Sequence, residues 1–434
     1  MSNENLTTTN EGVATAGHML AKNSLWKKIA LFLSTIGPGL FLVGYNIGTG
    51  SITTMASAGA SHGMILSWAV LLSCIFTYFL IVYFGRYTLL TGESALQAFR
   101  KHFGRKVALF VLSVLVFTEM VSSIGVMAIV TDVVNEWSKP LTADGEGIST
   151  ILLAILFGGM LVFLLINNRY GFIEKLLALF VALMGISFLM TATMVIPDAS
   201  VVIAGLVPSI PDTANAGLIV AGMIGTTMGG VLYVARSITV KEKQWKASDL
   251  KLEKRDAFIS SFLMFFLSLS IMAAAAGTLH PQGLHVENAI DMIQLLEPLA
   301  GRFAISIFVV GIVCAGLSSL FPHYMLVPLL LADYRNKPMD LSSKTNKTII
   351  IFYAALGLVV PIFGGRPVLV MIITQVFALL ITPIILILMT ILQNRKSVMG
   401  DQTVSPISTL MLVAMTLFTI FMAVVGVIGI IEAI

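Results

Sequence analysis

Eleven apolar stretches, each at or above the roughly 17 to 25 residues needed to cross the hydrocarbon core of a bilayer, leave this chain no soluble fold to adopt. They lie near 29–60, 65–84, 107–134, 149–166, 173–196, 216–238, 257–279, 302–331, 347–363, 367–392 and 406–431. Composition agrees: 57% of the 434 residues are hydrophobic and only 11% charged, which describes an all-α polytopic membrane protein with eleven transmembrane helices.

Basic residues give an independent check, because cytoplasmic loops concentrate Lys and Arg. With the N-terminus inside, every one of the 26 basic residues except Lys139, Arg302 and Arg366 falls in an inner segment. One span too many or too few would destroy that alternation from the error onward. The net charge of +4 therefore reflects orientation and implies no nucleic-acid partner. Residues 1–24 are polar and read as a disordered cytoplasmic tail; no cleavable signal is visible before Leu31. Cys74 and Cys314 fall inside apolar spans, where they pack as small hydrophobes. A bacterial plasma membrane is the simplest host for a chain with such short tails, and no obligatory protein partner or cofactor is indicated.

Two spans are interrupted by glycine-rich segments. The first carries Gly44-Tyr45-Asn46-Ile47-Gly48-Thr49-Gly50-Ser51; the second, half a chain later, carries Gly225-Thr226-Thr227-Met228-Gly229-Gly230. Backbone freed from a helix at membrane depth is tolerated only where it lines a cavity or is buried in protein, so paired breaks point to a substrate site. Spans one to five (about 29–196) and six to ten (about 216–392) each open with a broken helix. An odd number of spans per unit forces the second unit to run inverted, leaving 406–431 as an added helix. The transporter domain is thus 25–434.

Several segments carry a family resemblance: Gly37-Pro38-Gly39 through Gly44 to Gly63, the Thr91-Gly92 loop with Arg100 and His102, Ala273 to His280, Ala315-Gly316-Leu317-Ser318-Ser319, and Thr374-Gln375-Val376. Their order and spacing resemble the Nramp family of divalent metal transporters, from about Gly37 to about Leu392. The resemblance implies a leucine-transporter-like 5+5 inverted repeat plus one helix, with an ion site between spans one and six. It implies no enzyme activity.

The family's site does not carry over intact. Its Asp-Pro-Gly-Asn motif falls on Gly48-Thr49-Gly50-Ser51, its metal-binding Met on Gly229, the following Pro-His on Gly230-Val231, and a later His on Arg236. Its acidic proton-relay positions in span three fall on Ser123 and Val126. A thioether favours softer ions, whereas hydroxyls, amides and carbonyls suit hard Mg2+, which gives up water reluctantly. A site with glycines at these places fits a hydrated Mg2+ or Mn2+, a pattern similar to the Nramp-related magnesium transporters.

The remaining candidates for substrate contact are Tyr45 through its carbonyl, Asn46, Gly48, Thr49, Ser51, Thr226, Thr227, Gly229 and Gln375. Tyr45, Ser51, Thr226 and Gln375 are the candidate ligands of the transported ion. For the hydroxyls, bonding back to the helix is the plain alternative. Glu119, near the bilayer centre, and Arg236, about five residues past the second break, are the coupling or gating candidates. An intramembrane acid normally faces a cavity or a partner, so Glu119 reads as a proton or cation station, or as the partner of Arg236. His323 stands alone in span eight. Outer-loop His280, His285, Glu287 and Asp291 could gather cations or simply be solvated.

Two other functions stay open on the same residues. Arg236 and a Gly-Thr-Gly-Ser turn opening a half-helix would suit a carboxylate, hence an amino-acid or small organic-anion transporter. A non-transporting membrane sensor is the other.

Overall fold

The computed structural model describes residues 45, 48–167, 185–186, 189–190, 193, 199–213, 215–288, 291–292 and 302–433. Asn46, the tail 1–24, the start of the first expected span and most of the 173–196 span lie outside them. Among the described residues eight helices are long and apolar enough to cross a membrane, and Thr150–Ile166 is a shorter apolar helix.

The principal helices are α1 (Thr49–His62), α2 (Ser67–Thr91), α3 (Ala95–His102), α4 (Arg105–Ser138), α5 (Thr150–Ile166), α6 (Ala216–Met228), α7 (Gly230–Glu242), α8 (Leu250–Thr278), α9 (Arg302–Tyr334), α10 (Lys344–Leu356), α11 (Pro367–Leu380), α12 (Thr382–Asn394) and α13 (Pro406–Ala433). At roughly 1.5 Å per residue, α1 is a half-helix that cannot span the core alone. It opens after Gly48, whose backbone is extended (φ −111°, ψ −164°).

The second break is narrower than its sequence implies. Gly225 to Met228 stay helical in α6, and only Gly229 (φ −60°, ψ 132°) leaves the helix before α7. Borrowed hydroxyls answer the freed carbonyls: Thr77 donates to the Thr227 carbonyl at 3.1 Å and Thr382 to that of Met228 at 3.0 Å. Such pairing is what a break at membrane depth requires. A further interruption, at Ile381 between α11 and α12, precedes Thr382-Pro383, where proline lacks the donor a continuous helix needs.

Packing puts the breaks at the centre. The α6–α7 rod is buried along its whole apolar window, whereas α10 and α13 face outward. Helix α1 lies against α8, α6 and α11, and α4 runs along α9. On α8, Phe258, Phe262 and Phe266 recur every fourth residue on one exposed face, the lipid-facing stripe expected of a membrane helix. Close approach sets where glycine is needed: a Cβ at Gly225 would lie 2.1 Å from the Gln375 carbonyl oxygen, so α6 and α11 touch backbone to backbone.

Candidate functional site

A small cavity of about 30 Å³, room for a water-sized occupant, lies where the breaks meet. Gly48 and Gly50 form one side; Gly225, Thr226 and Gly229 form another. Ser122 and Val126 come from α4, Ser319 and His323 from α9, and Met371 and Gln375 from α11. Tyr45 closes the remaining side.

Of the residues singled out in the sequence, Tyr45, Gly48, Thr226, Gly229 and Gln375 are brought together on this cavity. Ser51 turns to α8, its Oγ 3.3 Å from Ser268 Oγ. Thr227 bonds back to the Met223 carbonyl at 3.2 Å, and Thr49 is buried beside Gly316 of α9. Those three do not line the cavity.

Glu119 is fully buried behind the wall. Its Oε1 accepts the Tyr45 hydroxyl at 2.7 Å, and its Oε2 lies 2.6 Å from His323 Nδ1. Tyr45 and His323 also touch, ring centroids 5.0 Å apart. His323, which stands alone in the sequence, is therefore the partner of a carboxylate 204 positions earlier. A carboxylate accepting from Nδ1–H holds the imidazole in the tautomer whose lone pair is on Nε2, the form that binds metal ions.

Arg236 is occupied elsewhere. Its guanidinium is fully buried, donating to Glu253 through Nε at 3.1 Å and Nη2 at 2.6 Å, and to Asp256 through Nη1 at 2.5 Å. It does not pair with Glu119. Gly85 of α2 makes room for this cluster, since a Cβ there would lie 1.9 Å from Glu253 Oε1.

Ser122, Ser319, His323 and Met371 also line the cavity, although nothing in the sequence assigned them a contact with the substrate. Ser319 sits in the Ala315 to Ser319 run, and Met371 lies one helical turn before Gln375, the periodicity that would have placed it on the same face. What these groups can do together is hold a small polar or cationic guest without a carboxylate in direct contact.

Known proteins share this fold. The profile of the family described as Nramp, natural resistance-associated macrophage protein-like, matches residues 39–429. The divalent metal cation transporter MntH of Deinococcus radiodurans is 25% identical over 399 residues, covering 89% of this chain and 88% of the relative. MntH of Klebsiella pneumoniae is 24% identical over 382 residues, covering 85% and 87%. Among solved structures, the Eremococcus coleocola manganese transporter superposes with a TM-score of 0.68 at 14% identity, covering 94% of this chain and 96% of that one. Mhp1, a nucleobase-cation-symport-1 transporter, gives 0.58 at 17% identity, covering 91% and 90%. The matched fold, the breaks that meet at its centre and a profile running almost end to end place this chain in the Nramp family of membrane transporters.

Proposed function

We infer that this protein carries divalent metal cations, Mg2+ or Mn2+, across a membrane by alternating access. The observation that supports this most is the cavity itself: hydroxyls, an amide, an imidazole and freed backbone converge between the two breaks. The His323 imidazole, oriented by Glu119, offers Nε2 to the ion, with Thr226 and Gln375 alongside. The charge that offsets the ion's lost hydration then stands one residue back, on Glu119. A site of this kind binds an ion that keeps part of its water shell, which suits Mg2+ and Mn2+ better than a demand for full dehydration.

The full architecture in this reading is eleven spans in a 5+5 inverted repeat with α13 added, the N-terminus cytoplasmic in a bacterial inner membrane. Membrane potential supplies the driving force: at roughly 2.3 kcal/mol per elementary charge per 100 mV, a divalent cation gains about 4.6 kcal/mol on entering. The carboxylate-transporter reading loses its main support, because the guanidinium it needs is tied to Glu253 and Asp256.

Purified protein in liposomes, offered Mg2+, Mn2+, Ca2+ and small amino acids under a set potential, tests this. Potential-driven Mg2+ or Mn2+ uptake is the expected result. Amino-acid flux without cation flux would overturn it.

A further inference from the structure

Three hydroxyls on one face of α1 have no partner among the described residues. Thr49 Oγ1, Thr53 Oγ1 and Ser57 Oγ are buried and unpaired among the described residues, whereas Thr54 on the same helix donates to the Gly50 carbonyl at 2.6 Å. A buried helical Ser or Thr ordinarily bonds back in that way. One that does not calls for water or an ion in its place. Spaced four residues apart, the three form a row with steps of about 6 Å along the helix.

The row lies between two chambers, and Thr49 and Thr53 line neither. At one end Thr49 lies between Gly48 and Gly50, which line the central cavity. At the other, Ser57 lines a larger cavity of about 450 Å³, at the end of the bundle away from the basic loops. His62, 6% exposed, also lines that cavity, and its Nε2 is likewise unpaired among the described residues. On α11, Ile372 lines the larger cavity and Met371 the central one, so neighbouring residues separate them.

We propose that Ser57 and His62 form an entry site for a hydrated divalent cation, and that the Thr53 and Thr49 hydroxyls pass it to the central cavity. This rests on the transport reading above and adds a second site to it. Among the described residues no three His, Cys, Asp or Glu side chains close into a metal cage, so an ion here keeps its water. Exposed Glu287 and Arg366 both line this cavity with opposite charges, which leaves selection to the uncharged groups. Hydroxyls and one imidazole hold a hydrated ion firmly enough to collect it and loosely enough to release it, the condition for passage through successive sites.

Thiol accessibility and uptake test the proposal on the full chain. Cys74 and Cys314, both buried, are first replaced by Ala. Thr53→Cys and Ser57→Cys should then react with a membrane-impermeant methanethiosulfonate added on the Glu287 side. Ala58→Cys, seven residues from Ser51 and so on the α8 face, should not. Mn2+ at about four times its dissociation constant should slow reaction at Ser57→Cys about fivefold. Separately, Thr53→Val and Ser57→Ala should lower Mn2+ uptake about tenfold while the central cavity still binds Mn2+ in detergent. Labelling without Mn2+ protection would mean that water alone fills the row and would overturn the entry site. So would unlabelled Thr53→Cys together with normal uptake by both hydroxyl variants. Protection by Mn2+ in a protein that carries no divalent cation would leave the entry site standing and remove the transport reading instead.

Discussion

Ser319 fills the space that any side chain at Gly48 would need: a Cβ built on Gly48 lies 1.5 Å from Ser319 Oγ and 2.7 Å from its Cβ. Turning the serine rotamer cannot clear a clash with Cβ, so the carboxylate that the family resemblance implies for this place cannot simply be put in. Gly48→Asp alone should lower stability by about 1 to 3 kcal/mol through overpacking. Pairing it with Ser319→Gly makes room. Adding Gly229→Met, whose Cβ would meet the Gly225 carbonyl at a tight 3.2 Å, then supplies a thioether. The folded triple variant should bind Cd2+ at least about tenfold more tightly, roughly 1.4 kcal/mol, by calorimetry. Unchanged Cd2+ affinity would refute the placement of the family's ligands on Gly48 and Gly229.

Met371 leaves the cavity some softness that its glycines do not. Its methyl lies 2.6 Å from where a Gly50 Cβ would stand, which puts the thioether on the cavity wall. Thioethers favour softer ions over Mg2+. In competition uptake, Met371→Ala should therefore weaken inhibition by Cd2+ by about tenfold, or about 1.4 kcal/mol, while Mg2+ uptake stays near its original rate. An equal loss for both ions would mean that Met371 only packs.

The Arg236 cluster should matter to folding more than to selectivity. Arg236→Gln strands Glu253 and Asp256 in a fully buried setting, and removing one partner of a buried ion pair costs about 3 to 5 kcal/mol. The melting temperature in detergent should fall accordingly. Adding Glu253→Gln and Asp256→Asn should recover most of the loss, a coupling that a double-mutant cycle measures. A stable Arg236→Gln with altered ion preference would show instead that the guanidinium acts on the path.

Much of the architecture was readable because it follows from periodicity and length. Apolar runs report spans, and glycine clusters at membrane depth report breaks; α1 opening at Thr49 and the kink at Gly229 both answer to those signals. The break at Ile381 had a signal too, Thr382-Pro383, hidden because proline inside a membrane helix is often tolerated. Partnerships across the bundle were not readable. Arg236 looked like a charge aimed at the path because Glu253 and Asp256, 17 and 20 positions on, sit among basic residues that report only orientation. The sign of a lone residue says nothing about who neutralises it. His323 and Glu119 met the same obstacle, since only the packing of α4 on α9 brings them within 2.6 Å.

Glu119 is where the site should be most sensitive. As a carboxylate it accepts from both Tyr45 and His323 Nδ1 and so keeps the Nε2 lone pair available. In Glu119→Gln the amide oxygen can still accept from Tyr45, but the amide NH2 then faces Nδ1 and drives the imidazole proton to Nε2. Partners of this kind typically cost 10- to 100-fold in metal affinity or activity when removed. Mn2+ uptake in liposomes should fall by that order while folded yield and melting temperature stay close to the parent's. His323→Gln should produce a similar loss, and the double variant little more, because both act through one imidazole. Additive losses would place Glu119 and His323 in separate roles. A dye reporting lumenal pH completes the measurement: uptake driven by potential alone leaves the lumen unchanged. Stoichiometric acidification that disappears only in Glu119→Gln would make this carboxylate the carrier of a coupled proton and overturn the uncoupled mechanism.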